Sequence, residues 1–151
     1  MPAKAQIDIR PVRIDERSAW EPLWQGYLTF YKTAVPAQTT DTTWSRLNDP
    51  AEPMFLLGAY VDDVLTGIVH FIFHRSTWTP GDYCYLQDLF VSDRARGLGV
   101  GRALIEAVYA EAKRKGASRV HWLTHESNAQ ARILYDEIAD KPGFIQYRKA
   151  F

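Results

Sequence analysis

A single cysteine, Cys84, excludes any internal disulfide and fits a reducing compartment such as the cytoplasm. No apolar run approaches the roughly 20 residues that a bilayer-crossing helix needs. Met1 to Arg10 holds no apolar stretch of the kind a secretory signal carries. Charge of one sign is missing too. The 18 Lys and Arg balance 18 Asp and Glu, so no net field draws the chain to nucleic acid or to an acidic membrane surface. The 4 histidines show no metal-site spacing. His121 and His125 stand four apart across a strand end, and His70 and His74 share one face of a strand at a distance. The expectation is a soluble, cytoplasmic protein with no nucleic acid, membrane or metal partner.

What is present suits one domain over residues 1–151, with 46% apolar and 24% charged residues. Repeats, low-complexity tracts and linkers are absent. Ile7–Val12 alternates as a short strand. Asp15 or Ser18 caps a helix reaching Tyr31, with Trp20, Leu23, Trp24, Tyr27 and Leu28 at helical spacing. A shorter helix covers Thr40–Leu47. Met54–Val61 and Val64–Arg75 form a hairpin around Asp62-Asp63, and Tyr83–Val91 is apolar on both faces as a central strand should be. The pattern then changes to helix Gly101–Lys115, strand Arg119–Thr124, helix Ser127–Asp140 opened by a Ser127-x-x-Gln130 capping box, and strand Phe144–Lys149. Antiparallel strands followed by a strand–helix–strand crossover make an α/β sandwich with a mixed sheet.

The most informative segment is Leu89-Phe90-Val91-Ser92-Asp93-Arg94-Ala95-Arg96-Gly97-Leu98-Gly99-Val100-Gly101-Arg102. It follows a strand and opens a helix. Glycines at alternate positions let the backbone approach a ligand, and the first helical amides point outward at the positive end of the dipole. That suits a phosphate-type anion, with Arg96 and Arg102 beside it. A dinucleotide fingerprint would need glycine where Arg102 stands, and a P-loop would need Gly-Lys-Ser/Thr. The spacing Arg96-x-x-Gly99-x-Gly101 is a third pattern, the Arg-x-x-Gly-x-Gly turn of acetyltransferases.

Two further segments accompany it. Asn128 and Tyr135 share a face of the last helix, with Ala131 between them. From about Met54 to Phe151 the chain resembles the GCN5-related N-acetyltransferase (GNAT) superfamily. Tyr85-Leu86-Gln87-Asp88-Leu89-Phe90-Val91 is similar to its cofactor strand, Arg96 to Arg102 to its pyrophosphate loop, and Asn128 to Tyr135 followed by Gly143-Phe144 to its last helix and strand. Within the superfamily it looks closest to the diamine acetyltransferase-like branch and the yeast histone/D-amino-acid acetyltransferase-like proteins.

The resemblance implies a mixed, mostly antiparallel sheet of six to seven strands with about four helices. It implies acetyl-CoA as acetyl donor and direct transfer to a primary amine of a polyamine, an amino acid or a protein. Leu89, Phe90 and Val91 would pair with the pantetheine arm and place an amide on the thioester oxygen. Arg96, Gly97, Leu98, Gly99, Val100, Gly101 and Arg102 would hold the pyrophosphate. Asn128 would bond the cofactor arm and Tyr135 would act as general acid. Diamine acetyltransferases carry Glu where this sequence has Gln87, so the base falls to Asp88 or Glu126. The family's acceptor site lies beside the N-terminal helices, where Tyr31, Trp44 and Trp78 are candidate pocket walls; Asp41, Asp82 or Asp88 nearby would suit a cationic amine. Such proteins often form homodimers, and the C-terminal strand could pair across the interface. A non-catalytic acyl-CoA sensor and an antibiotic-modifying acetyltransferase are the alternatives.

Overall fold

The computed structural model describes residues 6–151. Five strands form one sheet in the order β1-β2-β3-β4-β5: β1 Ile7–Pro11, β2 Met54–Val61, β3 Val64–His74, β4 Tyr83–Val91 and β5 Val120–His121. The first four pair antiparallel. β5 joins β4 in parallel, as a helical crossover requires. Asp62 and Asp63 turn the β2–β3 hairpin with φ of 50° and 62°, the left-handed conformation that Asp tolerates better than most residues.

Four helices flank the sheet: α1 Arg17–Phe30, α2 Ala37–Leu47, α3 Val100–Arg114 and α4 Ala129–Ile138. Helices α1 and α2 cover one face around Trp20, Trp24, Trp44 and Ile68. Helix α3 covers the other around Val69, Leu86, Leu104, Ile105 and Val108. Fully burying each such side chain stabilises the fold by roughly 1.5–3 kcal/mol. Gly26 lets α1 approach β4 closely, since a Cβ there would lie 2.7 Å from the Phe90 ring.

One irregularity decides how the site is built. His70 pairs with Asp88, but Phe71 pairs with Leu86, so Gln87 is an extra residue in β4. Such a bulge reverses the alternation of the strand. Before it Cys84 and Leu86 face α3; after it Leu89 and Val91 do. Asp88 and Phe90 are thereby turned to the α1 face, while Gln87 is exposed.

The sheet has five strands rather than six to seven. Phe144–Lys149 is not a strand among the described residues: Phe144 is 86% and Tyr147 89% exposed. A strand is a pairing, and β5 offers only two residues as a template. The expected Arg119–Thr124 strand contracts to those two. The Ser127–Gln130 capping box does not form either. Helix α4 is capped at Asn128 without a side-chain bond, because the Ser127 hydroxyl is taken by His125 Nδ1 at 2.6 Å.

Candidate active site

A cavity of about 460 Å³ lies where β4, the N-terminus of α3 and one face of α4 meet. Leu89, Phe90 and Val91 line it from β4. Strand β5 pairs only with Cys84 and Tyr85, so beyond Tyr85 this edge of β4 has no strand partner among the described residues. The backbone there is free to pair with an extended ligand.

Arg96, Gly97, Gly99, Val100, Gly101 and Arg102 form the adjoining wall. Gly97 and Gly99 have φ of 81° and 84°, and a Cβ on either would meet nothing within 4 Å. Glycine is required here by conformation, not by space. The turn ends with Gly99 as the N-cap of α3. Among the described residues the amides of Val100, Gly101 and Arg102 have no backbone acceptor, which leaves three donors at a helix N-terminus for an anion. The arginines beside them are held by carboxylates: Arg96 by Asp93 at 3.1 Å, and Arg102 by Glu137. An anion entering the turn would exchange those partners. Leu98, expected with this group, is 40% exposed and does not line the cavity.

Helix α4 brings Asn128 and Tyr135 to the same cavity. Asn128 Nδ2 donates to Thr124 Oγ1 at 3.3 Å. Tyr135 packs edge-on against Trp122, ring centroids 5.3 Å apart. Burial, with a smaller contribution from Tyr31, raises the Tyr135 phenol above its ordinary value, so the proton stays on oxygen at neutral pH and is available to donate.

Asp88 does not line that cavity. It lies on the α1 face with its side chain 13% exposed, and its Oδ2 is 2.9 Å from His70 Nδ1. The phenols of Tyr27, Tyr31 and Tyr85 are all raised, first by burial and then by the negative charge of Asp88. Three phenols therefore sense the charge of one carboxylate. Tyr31 belongs to both groups, since it also lines the cavity.

Other sequence candidates fall elsewhere. Trp44 is buried against Trp20, centroids 4.8 Å apart, and so is core rather than pocket wall. Trp78 is 85% exposed in a loop. Asp41 pairs with Arg17 at 2.5 Å and Asp82 with Arg75 at 3.3 Å. Glu126 is exposed before α4 and does not line the cavity. His70, taken from the sequence as a structural residue, is the bonded partner of Asp88. The sequence signal for it was a His and an Asp on neighbouring strands, readable only once the bulge sets the register. Leu134 and Phe30 also line the cavity without having been singled out.

Residues 18–139 match the model of the Acetyltransferase (GNAT) family. The D-amino-acid N-acetyltransferase HPA3 of Saccharomyces cerevisiae is 34% identical over 148 residues, covering 95% of this chain and 91% of that protein. A thialysine N-epsilon-acetyltransferase of Caenorhabditis elegans is 30% identical over 80 residues, 53% of this chain and 49% of that one. Among solved structures, an aminoglycoside N-acetyltransferase AAC(6')-Iy in complex with CoA superposes with a TM-score of 0.81 at 19% identity, covering 99% of this chain and 98% of that one. An unpaired strand edge and an open helix N-terminus thus meet in a chain that belongs to the GNAT acetyltransferase family and is an N-acetyltransferase.

Proposed function

We propose that this chain, as a single domain over residues 1–151, moves the acetyl group of acetyl-CoA to a primary amine by direct attack in a ternary complex. The observation that carries the reading is the meeting of an anion-binding turn, an unpaired β4 edge, a protonated tyrosine and a carboxylate around one strand. The residues fit an elongated phosphate-bearing thioester. Val100, Gly101 and Arg102 would receive its pyrophosphate with Arg96, Gly97 and Gly99, the β4 edge and Asn128 its arm, and the donor supplies an activated acetyl group.

The chain's own groups do the rest. An alkylamine titrates near about 10.4 in water and must lose a proton before it attacks. Asp88 accepts that proton. Tyr27, Tyr31 and Tyr85 around the carboxylate hold the cation by their ring faces beforehand. An amide of the Leu89–Val91 stretch donates to the thioester oxygen as charge develops there. Tyr135 gives its proton to the departing sulfur, and the proton shed by the newly acetylated nitrogen restores the phenol. Relatives named for D-amino-acid and thialysine acetylation support an amino-acid-like or other small amine acceptor. The exposed apolar Phe144, Ile145, Tyr147 and Phe151 support a homodimer.

The test is acetyl-CoA-dependent thiol release against putrescine, spermidine, L- and D-amino acids, lysine peptides and an aminoglycoside. Turnover on one class, abolished by Tyr135→Phe, is the expected result. Silence on every acceptor with acetyl-CoA bound would refute the reading.

A further inference from the structure

Behind Asp88 lies a buried polar chain that the proposed chemistry does not use. Trp20 Nε1 donates to His70 Nε2 at 3.0 Å, and His70 Nδ1 stands 2.9 Å from Asp88 Oδ2. The His70 side chain is 3% exposed. It is packed between Trp24, whose ring centre is 5.5 Å away, and Trp20, itself fully buried and backed by Trp44.

The indole settles the protonation state of the imidazole. An indole nitrogen can only donate. His70 Nε2 must therefore be the accepting, unprotonated nitrogen, and the ring proton must sit on Nδ1. From there it points at Asp88 and donates to Oδ2. Because Nε2 is capped, the ring cannot take up a second proton without breaking the indole bond and leaving a buried charge beside two tryptophans.

We propose that Trp20 and His70 act together as a positioning pair for Asp88. The indole fixes the Nδ1–H tautomer, and that N–H fixes the rotamer of the carboxylate. One oxygen is thereby occupied and the other is left for the amine. His70 passes no proton; the proton taken from the amine stays on Asp88 until solvent removes it. The groups near this pair are Asp88 and Tyr85 from β4, Tyr27 and Trp24 from α1, Tyr31 just after it, and Trp44 from α2. Asp88 is the only carboxylate among them. The inference rests on Asp88 as the base of the proposed reaction.

Nitrogen-15 NMR of the wild-type imidazoles reads the first part without any activity. His70 is expected as the Nδ1–H tautomer at neutral pH. An Nε2–H tautomer would overturn the proposal. Two substitutions then separate positioning from packing. His70→Asn retains an amide donor near the Nδ1 position, whereas His70→Gln places its amide near Nε2, where it can accept from Trp20 but cannot reach Asp88. Turnover should fall about 100-fold in His70→Gln, the scale of a misplaced catalytic group, and recover at least tenfold in His70→Asn, with acetyl-CoA affinity unchanged in both. Equal losses in two folded variants would overturn it. In an Asp88→Asn background His70→Gln should add nothing; a full additive loss there contradicts positioning. Full activity of Asp88→Asn alone would instead remove the base reading, whatever the NMR shows of the tautomer. Should both His70 variants fail to fold, the wild-type NMR still decides.

Discussion

The two faces of the sheet are packed by different chemistry. Beneath α3 the core is aliphatic with two phenylalanines: Val69, Val100, Leu104, Ile105 and Val108 beside Phe71 and Phe73. Beneath α1 and α2 it is aromatic and polar, and three of its polar tips are hydrogen-bonded. Trp24 Nε1 donates to Thr40 at 3.1 Å, Trp20 Nε1 to His70 at 3.0 Å, and the Tyr60 hydroxyl to Glu16 at 3.0 Å. An aliphatic core needs only volume to be filled. A hydrogen-bonded one also fixes orientation, since an unpaired group in it is costly. The difference teaches that the α3 face serves as a platform for the turn that opens toward the cavity, while the α1 face aims side chains at Asp88.

Breaking each face should therefore have different consequences. Trp20→Ala leaves a cavity and removes the partner of His70, so unfolding in denaturant should show a loss of about 3–5 kcal/mol. Leu104→Ala on the other face should cost stability too, about 2–5 kcal/mol, while sparing the turnover of the folded fraction. Tyr135→Phe should lower turnover by about 100-fold or more with stability nearly unchanged. The pH dependence follows from the raised phenol. The protonated form does the work, and a raised pKa keeps that form to higher pH, so the alkaline fall in kcat should begin above the ordinary phenol value of about 10. Loss of activity between pH 8 and 9.5 would argue against Tyr135 as the acid.

Smaller effects sharpen the same contrast. Gly99→Ala imposes a side chain on a φ of 84°, at a cost of about 1–2 kcal/mol. Acetyl-CoA should bind about tenfold more weakly by titration calorimetry. The smallest effect concerns Cys84, whose thiol burial pushes up to about 12. It should remain unreactive to thiol reagents at pH 8 in the native protein and react on unfolding.

The two faces were unequally legible in the sequence. The glycine turn, Asn128 and Tyr135 belong to local patterns, and the family resemblance those patterns carry implies that they meet at one site. The Met54–Val61 and Tyr83–Val91 strands also read correctly, from their apolar runs and turn residues. Asp88 was visible only as one of two carboxylates, because the bulge at Gln87 that turns it toward α1 leaves no mark in composition. His70 was hidden for the same reason. Trp44 reads from the sequence as a pocket wall because it stands near predicted loops. In α2 it shares the buried face with Thr40, one turn earlier. Phe144–Lys149 carries strand-forming residues but has no strand partner among the described residues, and propensity alone does not make a ladder.

Asp88 is where the account is most exposed. Asp88→Asn keeps the shape of the carboxylate and removes its ability to take the proton. With the reacting acceptor at saturation and acetyl-CoA binding measured in the same preparation, the account predicts a kcat lower by about 10²–10⁴-fold and an unchanged acetyl-CoA affinity. Wild-type kcat in a folded, acetyl-CoA-binding Asp88→Asn protein would contradict it.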